Sequence, residues 1–162
     1  MEFEIDVSGE DLLSKNYVVC IANQDSIIKG FKFNEELIRI LCSKYGQEFY
    51  RYKKSRKEKA LFKVRIYSII IYYLFKSIKF KGELSLTICK DFDGRENDIK
   101  ENLKFFLDRI LNLGVNDKIK FIRLDKESNA HKYASLMRQD KKNLMKNNYV
   151  KISLEDIEKW LK

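Results

Sequence analysis

His131 is the only histidine in the 162-residue chain, and Cys20, Cys42 and Cys89 are its only cysteines. Structural zinc draws on Cys and His at close spacing, and with no Cys-x-x-Cys pair here that chemistry is excluded. A Ser-His-Asp or Cys-His nucleophile would have to run through His131 alone. Carboxylates remain as the one set of side chains able to hold a hard divalent cation. Asp6 stands inside an apolar run, Ile5-Asp6-Val7, followed by Ser8-Gly9. Asp91 and Asp93 lie two apart after Ile88-Cys89-Lys90, so they share a face wherever the strand continues. Glu127, His131 and Ser135 recur at i, i+4 and i+8, one stripe of a helix that begins early enough to include Glu127. Each acid also has an ordinary use: Asp before Ser-Gly is turn chemistry, and Asp-x-Asp-Gly favours a following helix N-terminus.

Charge is the second signal. The formal net charge is +9, and part of the excess is concentrated in Phe49-Tyr50-Arg51-Tyr52-Lys53-Lys54-Ser55-Arg56-Lys57-Glu58-Lys59. Cations interleaved with aromatics pair phosphate contacts with base stacking. Cations at a helix N-terminus oppose its dipole unless an anion compensates. We therefore expect Arg51, Tyr52, Lys53, Lys54, Arg56 and Lys57 to face nucleic acid, RNA or DNA. A second run, Arg138, Lys141, Lys142 and Lys146, is interrupted by Asp140.

These residues need a frame. At this length one domain can bury about two thirds of its unfolded surface without staples. Residues 3–7 alternate apolar and polar, 17–22 are rich in β-branched residues, and 26–33 follow an Asn-Gln-Asp turn, which together predict an antiparallel three-stranded meander. Asn34 fits an N-cap for a helix that runs to Gly46. The apolar stretch 61–80 reads as one long buried helix, its length favouring that over a buried strand pair. Its core, 66–75, is about half the length a membrane span needs. Residues 84–89 predict a fourth strand, 99–111 a helical stripe, 118–124 a fifth strand and 128 onward a helix. A short β-α tail, 146–162, with a strand at 149–152 and a Ser153-capped helix, closes the single domain 1–162. Three antiparallel strands followed by α/β crossovers imply a mixed five-stranded sheet with helices on both faces. The first residues alternate acid with apolar and do not form a leader, so a cytoplasmic protein with buried thiols is expected.

That element order, with Asp6-Val7-Ser8-Gly9 on the first strand and Asp91 at the end of the fourth, resembles the ribonuclease H-like superfamily. It is also similar to an uncharacterised archaeal group opening on an Asp-Val-Ser-Gly strand. The likeness covers about residues 1–146. It implies a ribonuclease H-like α/β fold and a nuclease that hydrolyses phosphodiesters with Mg²⁺ or Mn²⁺. Asp6 and Asp91 would be the core ligands, with Asp93 replacing or assisting Asp91. The family's third acid, early in the last core helix, falls here at Ser135. Either Glu127 or His131 would supply the missing ligand, or the site is degenerate and binds nucleic acid without cutting it. An interaction protein with neither metal nor nucleic acid is the remaining alternative.

Overall fold

The computed structural model describes residues 1–115 and 117–162. In chain order the elements are β1 (Glu2–Ser8), β2 (Val18–Ala22), β3 (Ile28–Lys32), α1 (Glu35–Lys44), α2 (Arg56–Ile78), β4 (Ser85–Cys89) and α3 (Glu96–Leu103). A π-helical stretch, Lys104–Ile110, extends α3; then come β5 (Ile119–Ile122), α4 (Asn129–Gln139), a 3₁₀ turn at Lys146–Asn148, and α5 (Leu154–Glu158). The five strands form one open mixed sheet in the order β3-β2-β1-β4-β5. β1 pairs antiparallel with β2 and parallel with β4, and β4 pairs parallel with β5.

The period of two in β1 divides the molecule. Phe3 and Ile5 enter the main core with α2, where the Phe3 and Phe75 rings meet edge to face at 5.0 Å. Glu4 and Asp6 point to the other face, beside Cys20 and Ala22, their cross-strand partners on β2. Helix α4 covers that second face, packing on β1, β2 and β3 through Ala130, Ala134 and Met137. Gly30 on β3 permits the close approach, since a Cβ there would collide with Met137 Sδ.

The apolar stretch 61–80 resolves as helix α2. Ser55 caps its N-terminus by accepting from Glu58 N–H, and Lys79 ends it in the left-handed conformation at φ 51°. Its middle, Ile66 to Tyr72, is buried without interruption, which explains the absence of an amphipathic stripe there. Asn34 caps α1 as expected. The tail departs from expectation. Residues 149–152 form no strand: after the 3₁₀ turn at Lys146–Asn148 the chain makes one parallel bridge, Gly30 to Tyr149, with Val150 N–H donating to Gly30 O at 2.9 Å. No helix among the described residues is long and apolar enough to cross a membrane.

The tail is nonetheless anchored. The Tyr50 hydroxyl donates to Glu158 Oε2 at 2.7 Å and Lys44 Nζ donates to the same oxygen at 2.9 Å. Burial pushes the Glu158 carboxyl up, but these two donors outweigh it and leave its pKa below the ordinary 4.5. The contribution is therefore complete above pH 4.5 and disappears as pH falls through the lower folded value. Tyr50→Phe should cost about 1.5–3 kcal/mol at neutral pH, the range for a hydrogen bond to a charged group, read from denaturant midpoints. The loss should shrink in acid, where Glu158 is protonated.

Candidate metal centre

Two parallel strands end side by side at the centre of this fold. Asp6 lies two residues before the end of β1, and Asp91 two residues beyond the end of β4. Ligand-capable atoms of Asp6, Cys89 and Asp91 all lie within 4.8 Å of one another. In open α/β sheets the carboxyl ends of the strands are where ligands sit.

Asp6 is buried, and both of its oxygens are held. Oδ1 accepts from Val7 N–H at 2.7 Å, and Oδ2 lies 2.9 Å from His131 Nδ1. A carboxylate only accepts, so this hydrogen bond assigns a proton to Nδ1 and leaves Nε2 for other work. Helix α4 carries the imidazole to this place through its first turn. Ser128 Oγ accepts from His131 N–H at 3.4 Å as the N-cap and donates to Glu4 Oε1 at 2.9 Å, which ties the helix start to β1.

Asp91 sits at the open lip of the cluster. Loss of hydration raises its carboxyl to about 6, and the neighbouring Asp6 charge adds to the rise. The Cys89 thiol is pushed up to about 11, first by burial, so it keeps its proton at neutral pH. Tyr67 comes from α2, its ring 4.7 Å from that of Phe92. Its hydroxyl is fully buried with no hydrogen-bond partner among the described residues. Burial, Tyr17, Asp91 and Asp6 in that order hold it well above its ordinary pKa.

Of the residues singled out in the sequence, the fold brings Asp6, Asp91 and His131 together. Asp93 is a correction. β4 stops at Cys89 and the chain turns, Arg95 N–H bonding to Phe92 O at 3.1 Å, so the period of two does not reach Asp93. It lines a groove of about 340 Å³ with Arg56, Lys59, Lys63 and Arg95. Glu127 is a second correction. Asp125 Oδ1 accepts from the Glu127 and Ser128 N–H groups, the helix starts only at Asn129, and Glu127 is left exposed before it. Ser135 does lie one turn after His131, half-buried.

The basic segment is also revised. Tyr50 is buried and packs on Phe62 at 5.8 Å, so it supports the core, whereas Tyr52, 5.6 Å from the same ring, is half-buried and Phe49 is exposed. Arg51, Lys53 and Lys54 line a separate groove of about 400 Å³. Arg56 and Lys57 open α2. Cys89 was missed as a member of the cluster; its spacing of two from Asp91 was the available signal.

No protein-family model, no curated protein and no solved structure matches the chain. The geometry therefore carries the reading. Two carboxylates and a thiol converging at one point could hold a metal ion.

Two outcomes follow from the charges. A carboxyl whose folded pKa is raised destabilises the fold once it ionises; this penalty is absent below pH 3.8 and complete above about 6. Asp91→Asn should therefore raise the melting temperature of metal-free protein at pH 7 and leave it unchanged at pH 3.5. Tyr67→Phe removes a buried hydroxyl that lacks a partner, and should stabilise by about 1 kcal/mol, or about 2–4 °C in Tm for a domain of this size. Calorimetry of each variant checks both.

Proposed function

We propose that this chain is a ribonuclease H-like, divalent-metal-dependent phosphodiesterase acting on RNA or DNA. The convergence of Asp6 and Asp91 at adjacent parallel strand ends supports it, since like charges at that separation repel and a cation between them relieves the cost. The donor set fits one hard ion, Mg²⁺ or Mn²⁺, better than two. Two carboxylates neutralise a single divalent charge; the position of the third acid that a second ion would share holds Ser135, and His131 one turn before it is bonded to Asp6. Cys89 fits as a neutral neighbour, because a thiol with a pKa near 11 gives up its proton to a hard cation reluctantly. When bound, the ion supplies an activated water and charge neutralisation at phosphorus.

The chain's own residues do the rest. Asp6 and Asp91 fix the ion at the strand ends. Asp6 also holds His131 in one tautomer, so that Nε2 can take a proton from water or return one to the departing oxygen. Arg56, Lys59, Lys63 and Arg95, in the groove beside the Asp91 loop, supply phosphate contacts.

A second reading, a nucleic-acid-binding module that does not cleave, is favoured by one observation: α4 offers His131 and Ser135 where a third carboxylate would complete the site.

Cleavage of labelled single-stranded, duplex and hybrid substrates with Mg²⁺ or Mn²⁺ separates the two. The enzyme reading expects Asp6→Asn to abolish both cleavage and the metal-induced rise in Tm. It expects His131→Ala to lower kcat by about 10²–10⁴-fold while the metal-induced rise persists. Nucleic-acid binding with no metal response and no Asp6-dependent cleavage would leave only the binding module.

A further inference from the structure

At the same end of the sheet, on the far side from Asp91, lies a broad concavity. It is a trough of about 600 Å³ where the end of β3 meets the chain that leaves α4. Six cations line it, Lys15, Lys32, Arg138, Lys141, Lys146 and Lys151, against the single carboxylate of Glu35 among the described residues. Glu35 is engaged by Lys15 at 3.2 Å. Arg138, Lys141, Lys146 and Lys151 have no ion-pair partner among the described residues. The nearby acid, Asp140, is half-buried beside Lys32, and its two oxygens accept from Leu144 N–H, Met145 N–H and the Tyr149 hydroxyl. Cations gathered around one trough repel one another, and a polyanion relieves that cost.

The position of the trough says which polyanion. Asp6, Cys20 and Gly30 are in register across three strands, and Lys32 is two residues beyond Gly30 toward the end where β1 finishes. Strand spacing and rise place Lys32 about 12 Å from Asp6. Helix α4 joins the two places. His131 and Arg138 are seven residues apart, just under two turns, so they share a face of α4 and stand about 10 Å apart along it. That is about three stacked nucleotide steps of one strand.

We propose that the trough holds the backbone phosphates of a nucleic-acid strand about three nucleotides from the bond presented at Asp6 and Asp91. The assignment of the polyanion as nucleic acid rests on the phosphodiesterase reading; the cation trough itself does not. Phosphates held in the trough fix register, with Arg138 the trough cation that α4 carries on the face of His131.

The test is binding of short labelled single-stranded RNA and DNA by the full chain across a salt series in EDTA. The triple variant Arg138→Ala, Lys141→Ala, Lys146→Ala should flatten the slope of log K against log salt by about 2, since each phosphate left without its cation removes about 0.7. All three residues are exposed, so the variant should keep the wild-type Tm and its metal-induced shift. An unchanged slope overturns the proposal. So does a slope flattened instead by Arg51→Ala, Lys53→Ala, Lys54→Ala and Arg56→Ala, which would put the strand on the other basic surface. Poly-glutamate competing as well as unlabelled oligonucleotide would also overturn it, by showing a generic polyanion surface. The two readings fail separately: a flattened slope in a protein that never cleaves keeps the trough and removes the enzyme, whereas Asp6-dependent cleavage with an unchanged slope does the reverse.

Discussion

A carboxylate placed in the central strand of a sheet has to be given partners, and much of the architecture around Asp6 follows from supplying them. Its neighbours on β1, Ile5 and Val7, face the opposite side, and Ile5 is buried in the main core, so the strand cannot slip to expose the acid without exposing the core residues as well. The helix that covers this face must bring a donor. It does so at its first turn, where Ser128 is bound to Glu4 and His131 to Asp6. The rest of α4 is held by small apolar contacts, with Ala130, Ala134 and Met137 lying against Ala22, Cys20 and Val18. Polar contacts thus set the register of α4, and apolar contacts set its distance from the sheet.

The same placement explains why charge gathers at one end of the molecule. β1 and β4 run parallel, so their carboxyl ends coincide. The chain leaving β1 contributes Asp11, which is paired with Lys63 of α2 at 2.9 Å. The chain leaving β4 contributes Asp91 and Asp93. The acids are therefore concentrated where the strands stop, with Lys63 and Arg95 on one side and Lys32 and Arg138 on the other. Steering of a polyanion toward acidic groups requires such an arrangement, since the carboxylates alone would repel it.

The sequence was legible where a period was long or a pairing was local. Alternation in residues 3–7, the Asn34 cap and the length of the apolar stretch 61–80 each favour one element over its competitors, and those elements formed there. Asp6 and Asp91 were singled out by their place in an element order that resembles the ribonuclease H-like superfamily, each with an ordinary turn reading beside it, and the fold brings the two together. The misses share a cause. Asp93 and Glu127 were placed by extending a regular period past the end of its element, and in both cases side-chain or backbone turn bonds ended the element first. Of the aromatics in the basic segment, Tyr50 is buried, Tyr52 half-buried and Phe49 exposed, a division that composition does not show. Only the packing of Tyr50 and Tyr52 on Phe62 does.

A cluster of two carboxylates and one imidazole, Asp6, Asp91 and His131, differs electrostatically from a cluster of three carboxylates. Three acids at mutual contact strain a metal-free fold, and their pKa values spread far apart. With two acids and an imidazole the cluster carries less negative charge, and Asp91 needs to rise only to about 6. The metal-free protein can therefore keep this site assembled near neutral pH, with Asp6 held by Val7 and His131. On the phosphodiesterase reading proposed above, such a centre would hold a second cation weakly and would set a proton carrier beside the ion. On that reading, one residue on α4 would set the balance between a single-ion and a two-ion centre.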